Sequence, residues 1–168
     1  LEQIAGLASV TRGAIYWHFE DKKALYRAVV DYTLENADIA EYASQLPTEL
    51  PLEERVDRVF WHALEHNRFV DFVYKTINYS WDNEESEDVQ VKLRNAKQHL
   101  LRIFDEEIEL YMRIHQVNLK EPSDYSVSLF LLFEGMFLAK HVSIEVSLDR
   151  EHIQRYIHLV LSDLLEAN

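Results

Sequence analysis

Between Val89 and Tyr111 the apolar residues Val89, Leu93, Ala96, Leu100, Phe104, Ile108 and Tyr111 recur at three- and four-residue intervals without interruption. That period draws one apolar stripe along a helix and is incompatible with the two-residue alternation of a half-buried strand. The same spacing returns in Leu52, Val56, Val59, Phe60, Ala63 and Leu64, and again in Ile153, Ile157, Val160, Leu161, Leu164 and Leu165. Three glycines and three prolines in 168 residues supply too little turn chemistry for a sheet protein. The expected fold class is all-α.

Local signals place the remaining elements. Residues 1–8 read as the end of a helix with Ile4, Ala5, Leu7 and Ala8 as its stripe. The chain opens on Leu1 in the middle of this amphipathic pattern, so an earlier N-terminal segment is expected. Thr11 is a good N-cap, its hydroxyl placed to accept from the amide of Ala14, and Ile15 and Phe19 lie four apart on one face that can pack under the preceding helix. A longer helix is expected from Asp21 to about Gln45. The stretch LPTELP, Leu46 to Pro51, ends it with two prolines and marks the expected boundary between a domain of residues 1–45 and one of 46–168.

Helices follow over Leu52–His66 and Arg68–Trp81, then an acidic break from Asp82 to Asp88, DNEESED. After the stripe that opens this section, Asn118 to Asp124 reads as a loop. Tyr125 to Val146 is apolar almost all round and is expected to be buried on two sides. Asp149 reads as an N-cap, with Leu148 and Ile153 placed as a hydrophobic staple.

Charge divides the chain. Residues 1–27 hold four bases (Arg12, Lys22, Lys23, Arg27) against three acids (Glu2, Glu20, Asp21), a net of +1, leaving −14 for the remainder of a chain that totals −13. An acidic body repels polyanions, so nucleic acid must meet the N-terminal segment. Cysteine is absent, which excludes disulfides and thiolate metal sites and fits a reducing, cytoplasmic compartment. No apolar run approaches the ~20 residues of a membrane span.

The segment TRGAIYWHF, Thr11 to Phe19, packs three rings into one turn behind Arg12 and Gly13. A helix, a tight turn and a short helix opening on Thr-Arg-Gly form a helix-turn-helix signature, with Ser9 at the turn position that is most often glycine. Gly13 removes a side chain where a backbone must approach base edges. Thr11 and the first-turn amides suit a phosphate oxygen, and Arg12 can reach a guanine edge or a phosphate. Tyr16, Trp17 and His18 carry a hydroxyl, an indole N–H and an imidazole N–H that suit the sugar–phosphate backbone, and Tyr16 can also touch a thymine methyl. Lys22 stands where the dipole of the next helix disfavours a cation, a sign that a docked phosphate would reverse. Alone, each of these residues has an ordinary reading as packing or solvated surface; their joint spacing favours duplex DNA.

The run IAGLASVTRGAIYWHFEDKKALYRAVV resembles the DNA-binding segment of the TetR/AcrR family of one-component transcriptional repressors. The resemblance implies a helix-turn-helix DNA-binding domain whose first helix precedes residue 1, followed by a helical ligand-binding and dimerisation domain. It maps Thr11, Arg12, Gly13, Tyr16, Trp17, His18 and Lys22 onto DNA-contacting positions, and Ile15 and Phe19 onto the core. It implies double-stranded operator DNA and a small-molecule inducer as partners, no cofactor, no enzyme activity, and a homodimer. Independently, the last two helices carry more apolar surface than one small core needs, and pairing them with a second copy would use it.

Ligand contacts are expected in the body at Trp61, His66, Phe72, Tyr79, Phe104, Phe133, Glu134 and Phe137, where large rings accompany polar groups; as single residues, most of these rings also read as ordinary core. Glu134 interrupts LFLLFEGMFL and needs a partner there: an internal histidine or lysine, a place at the dimer seam, or a cationic ligand. HALEH, His62 to His66, matches the H-x-x-E-H pattern of zinc hydrolases through His62, Glu65 and His66, with Glu134 as a conceivable third ligand; its helix is equally explained by the apolar stripe. A zinc hydrolase and a helical adaptor that binds proteins through exposed rings are the alternatives to the repressor.

Overall fold

The computed structural model describes residues 1–36, 38–66, 72, 87–141 and 149–166. Among these residues there are helices and no strands, as the periodicity demands: α1 (Glu2–Leu7), α2 (Arg12–His18), α3 (Lys22–Glu35), α4 (Ile39–Gln45), α5 (Leu52–Trp61), a π turn (His62–His66), α6 (Glu87–His115), α7 (Pro122–His141) and α8 (Arg150–Glu166). Two compact units result, residues 1–36 and 37–168. No helix among the described residues is long and apolar enough to cross a membrane. The expected helix over 68–81, residues 82–86 of the acidic break, residues 142–146 of the apolar stretch and Leu148 of the staple lie outside the described residues, Phe72 apart; Glu87 and Asp88, expected in the break, instead open α6.

In the first unit the chain turns sharply after α1. Ser9 adopts φ 56°, its amide donates to Gly6 O at 3.2 Å, and the Val10 amide donates to Ala5 O at 3.0 Å. This is a Schellman ending with a serine in the left-handed position that glycine normally fills. Thr11 then caps α2 by accepting from the Ala14 amide at 3.1 Å, and Asp21 caps α3 by accepting from Ala24 at 2.6 Å. Both caps match the sequence reading. Ile15 and Ala5 are buried between α1 and α2, whereas Ile4 and Leu7, expected within the α1 stripe, are exposed.

The helix expected from Asp21 to Gln45 is two helices. Thr33 turns its hydroxyl onto the carbonyl of Val29 and Asn36 its amide onto that of Tyr32, each at 2.6 Å, and Asn36 leaves helical geometry. Short polar side chains that bond the preceding turn weaken helix continuation, and asparagine and aspartate favour ends. A single helix from residue 21 to 45 is therefore ruled out. The boundary expected at 45/46 lies inside the second unit, because Ile39, Ala43 and Leu46 belong to that unit's core.

The second unit is built around rings. Phe60 of α5 meets Phe133 of α7 edge to face at 5.1 Å and Phe104 of α6 at 5.6 Å, and Phe137 lies 4.6 Å from Phe133. All four are essentially inaccessible, and Ile153, Ile157, Leu161 and Leu164 of α8 close the cluster. Such a ring is worth about 1.5–3 kcal/mol on burial. The sequence reading expected Pro122–Asp124 to be loop, but α7 starts at Pro122; proline suits the first helical position, where no amide is required. The helix is also buried on one side only within the chain: Leu129, Phe133 and Phe137 face the core while Val127, Leu131 and Leu138 are exposed.

Two buried charges order the helices. Arg55 of α5 grips Glu107 of α6 through Nε and Nη2, at 2.5 and 2.8 Å. Its Nη1 donates to the carbonyls of Leu46 and Pro47 at 2.8 and 2.7 Å, and Nη2 donates also to Ala43 O at 3.3 Å. The guanidinium thereby uses all five N–H groups. Asp57, also buried, accepts through Oδ2 from Arg150 at 2.9 and 3.2 Å and from Gln154 at 3.2 Å. In the π turn after α5 the Leu64 carbonyl accepts from Lys140 of α7 at 3.0 Å.

Two outcomes follow from these contacts. Glu107→Gln leaves the Arg55 cation buried without its counter-charge, and urea denaturation is expected to show a loss of about 3–5 kcal/mol; a loss within experimental error would contradict the geometry. Ser9→Gly relieves a left-handed residue that carries a Cβ, and thermal unfolding is expected to show a gain on the order of 1 kcal/mol.

Candidate nucleic-acid interface

The first unit buries little and exposes much. Of its residues only Ala5, Ile15 and Val30 are buried. Ile15 pins α2 from beneath, so the residues on the other flanks of this two-turn helix point outward. Thr11, Arg12, Gly13, Tyr16, Trp17 and His18 are all exposed, and Lys22 is exposed at the start of α3. The structure thus brings every residue expected to contact DNA into one small unit.

Arg12 and Tyr16 act as a pair. The guanidinium carbon lies 5.5 Å from the Tyr16 ring centre, and Nη2 stands 3.5 Å from the phenolic oxygen, a long and weak bond. Tyr16 holds the Arg12 pKa above its ordinary value, first by this hydrogen bond and then by charge, with a smaller contribution from Glu2. Arg12 is an exposed cation in the first turn of α2.

Trp17 is 82% exposed, a poor location for an indole unless something else covers it. The His18 ring meets it edge-on at 4.7 Å and lies 6.4 Å from Phe19. Thr11 has already accepted the Ala14 amide, so fewer first-turn amides are available to a phosphate than the sequence suggested. The hydroxyl proton of Thr11 can still be donated outward.

A Cβ built on Gly13 would meet nothing closer than Thr11 Oγ1 at 3.8 Å, an ordinary contact. The protein itself therefore has no steric need for glycine here, although glycine is a poor helix former. Lys22 and Lys23 occupy the first turn of α3 beside the Asp21 cap. Lys23 and Arg27, exposed cations of the same helix, are not singled out by the sequence reading; their sign within so acidic a chain is the available signal.

The described residues among those expected to bind ligand fall mainly in two places, the core and the pocket beside Trp61. Phe104, Phe133 and Phe137 are packed into the core. Tyr79 and the side chain of His66 lie outside the described residues, and Phe72 is half-buried. Glu134 forms an ion pair with Lys97, both side chains being partly exposed. Trp61 lines an open pocket of about 640 Å³ together with Tyr42, Arg58, His62, Glu65 and Arg150. Tyr42 was missed by sequence; it stacks face to face on His62 at 4.0 Å. His62 also places Nε2 3.0 Å from Asp38 Oδ1. Among the described residues no three histidines or carboxylates gather to hold a metal.

Comparisons with known proteins bear on the first unit. Residues 1–29 match the bacterial regulatory proteins of the tetR family. The probable HTH-type transcriptional regulator ArpR of Pseudomonas putida is 50% identical over 50 residues, which cover 30% of this chain and 24% of that protein. The HTH-type transcriptional regulator TtgR, also of Pseudomonas putida, is 48% identical over 50 residues with the same coverage. The HTH-type transcriptional regulator AcrR of Shigella flexneri is 41% identical over 51 residues, covering 30% of this chain and 23% of that protein. The matched segment spans about a quarter of the length of these relatives. No solved structure matches the chain. The N-terminal helix-turn-helix, residues 1–29, is thus similar to that of the tetR family of bacterial regulatory proteins.

Proposed function

We propose that this protein is a ligand-responsive transcriptional repressor that binds a palindromic operator as a homodimer in the cytoplasm and is released by a small inducer. The observation that carries this reading is the surface of α2. Polar and aromatic side chains stand outward on both sides of a glycine that the fold does not require. In this reading Gly13 lets the helix backbone close on base edges in the major groove. Arg12 reaches a guanine edge or a phosphate, and Tyr16 a phosphate or a thymine methyl. Thr11, Trp17, His18 and Lys22 hold the flanking sugar–phosphate chains.

A single such module reads few base pairs, so two copies would present recognition helices about one helical turn apart, ~34 Å. The uncovered apolar residues Val127, Leu131 and Leu138 of α7 and Leu159 of α8 support a partner face on the last two helices. A two-fold axis through that face would pack them as a four-helix bundle. For the inducer, the pocket beside Trp61 supports an aromatic or cationic compound. It offers the Trp61 and Tyr42 rings and the Glu65 carboxylate, while its two arginines are already engaged by Glu54 and Asp57. Release needs a difference of several kcal/mol between the inducer's affinities for the two conformations.

Fluorescence anisotropy with an operator selected from random duplexes tests the reading. Affinity is expected to fall steeply with salt, and Lys22→Ala to lower the slope of log K against log salt by about one. Tyr16→Ala combined with Lys22→Ala is expected to abolish binding while sedimentation still reports a dimer. Gly13→Ala separates fold from function: thermal stability is expected to hold or rise, while DNA affinity drops on the order of tenfold or more as a base-edge contact worth about 1–3 kcal/mol is lost. Leu131→Glu is expected to yield monomers. Absence of any preference for duplex DNA at low salt would overturn the proposal.

A further inference from the structure

The side of α7 turned away from the aromatic centre carries a row spaced four, four and three residues apart: Val127, Leu131, Gly135 and Leu138. Every member is exposed, Leu131 and Leu138 by 61% and 50%. Gly135 stands in the middle of this row, inside a helix of 20 residues. Proline apart, glycine is the poorest helix former, so its presence there needs a reason. The fold supplies none among the described residues. A Cβ built on Gly135 would meet nothing within 4 Å, and its backbone is helical, without a positive φ.

What the missing side chain leaves is a notch of bare backbone between two leucines. Packed helix axes lie about 8–10 Å apart and each Cα about 2.3 Å from its axis, so facing Cα atoms come within about 3.4–5.4 Å. The short end of that range leaves no room for two side chains, and glycine permits it. At a two-fold axis a residue meets its own counterpart, and glycine is the residue whose contact with itself needs least space. Charge also favours a second copy as the occupant. Two copies of a chain with net charge −13 repel each other and close most readily across a neutral strip. The row is neutral, and the adjoining Glu134 is paired with Lys97 at its flank.

We infer that Gly135 marks the point at which α7 crosses its own copy, with the two-fold axis of the dimer passing over this residue. The inference rests on the homodimer reading and adds to it the place of closest approach, where Leu131 and Leu138 pack on either side. A side chain at position 135 would hold the two helices apart and loosen the contacts of both leucines.

The chain contains no cysteine, so a single introduced thiol reports on its own position alone. A disulfide needs its two Cα atoms about 4.4–6.8 Å apart, a condition that a residue on the axis meets with its own copy. Under mild oxidation Gly135→Cys is expected to give a covalent dimer on non-reducing gels, which sediments as the unmodified protein does. Val91→Cys, on an exposed flank of α6, is expected to stay unlinked. Gly135→Leu is expected to raise the dimer dissociation constant by about tenfold or more in sedimentation equilibrium, with helical circular dichroism kept or increased, because leucine is the better helix former. The two kinds of failure are distinct. A monomer at every concentration removes the dimer itself, and the crossing point with it. A dimer in which Gly135→Cys links no better than Val91→Cys, or which Gly135→Leu leaves equally tight, overturns the crossing point and leaves the dimer standing.

Discussion

A guanidinium taken out of water must be met at every donor, and Arg55 is. Meeting that condition joins the end of α4, the turn after it, α5 and α6 in one arrangement, because the five donors find partners on all of them. The pair need not add net stability; buried ion pairs often balance their own desolvation. What it supplies is register. With Arg55 fixed, Val56, Val59 and Phe60 can face only the core, and Phe60 reaches the rings of α6 and α7. Asp57 repeats the device on the next flank of α5, toward Arg150 and Gln154 of α8.

The two units spend their residues in opposite ways. Among its described residues the second packs Phe60, Phe104, Phe133 and Phe137 into a closed aromatic centre. The first has three buried residues and turns an indole, a phenol, an imidazole and several cations outward. A small core suffices where the task is to hold one short helix at a fixed tilt to the turn before it. Ser9 accepts a left-handed conformation to make that turn. Such strain at a functional turn is tolerated when flanking contacts fix the backbone, as the Val10–Ala5 bond and the Thr11 cap do.

Much of this was legible in the sequence. The stripes of α5, α6 and α8, the caps at Thr11, Asp21 and Asp149, and the grouping of polar rings behind Gly13 all rest on local rules that act within a turn or two. Legibility failed where a partner is distant in sequence. Glu107 lies on the buried face between Phe104 and Tyr111, and Arg55 between Leu52 and Val59, but periodicity says only that a charge is misplaced, not that the two misplaced charges meet. Glu134 reads as needing a partner, but spacing along the chain does not name Lys97. Phe104, Phe133 and Phe137 read equally as cavity wall and as core, because composition does not distinguish a ring that touches a ligand from one that touches another ring. The break near Asn36 was missed as well, since Thr33 and Asn36 compete with the helix through side-chain bonds that hydrophobic spacing does not register.

That break has a consequence for how the molecule comes apart. Helix formation is cooperative along a continuous backbone, so an unbroken rod from Asp21 onward would let order or melting propagate from one unit into the other. Fourteen residues in α3 and seven in α4 are each too short to persist alone. Each must borrow its stability from its own surroundings, α3 from the first unit and α4 from the Arg55 clamp in the second. Fraying of the small N-terminal unit therefore stops at the junction, and the aromatic body can keep its amides protected from exchange while the first thirty-odd residues open and close.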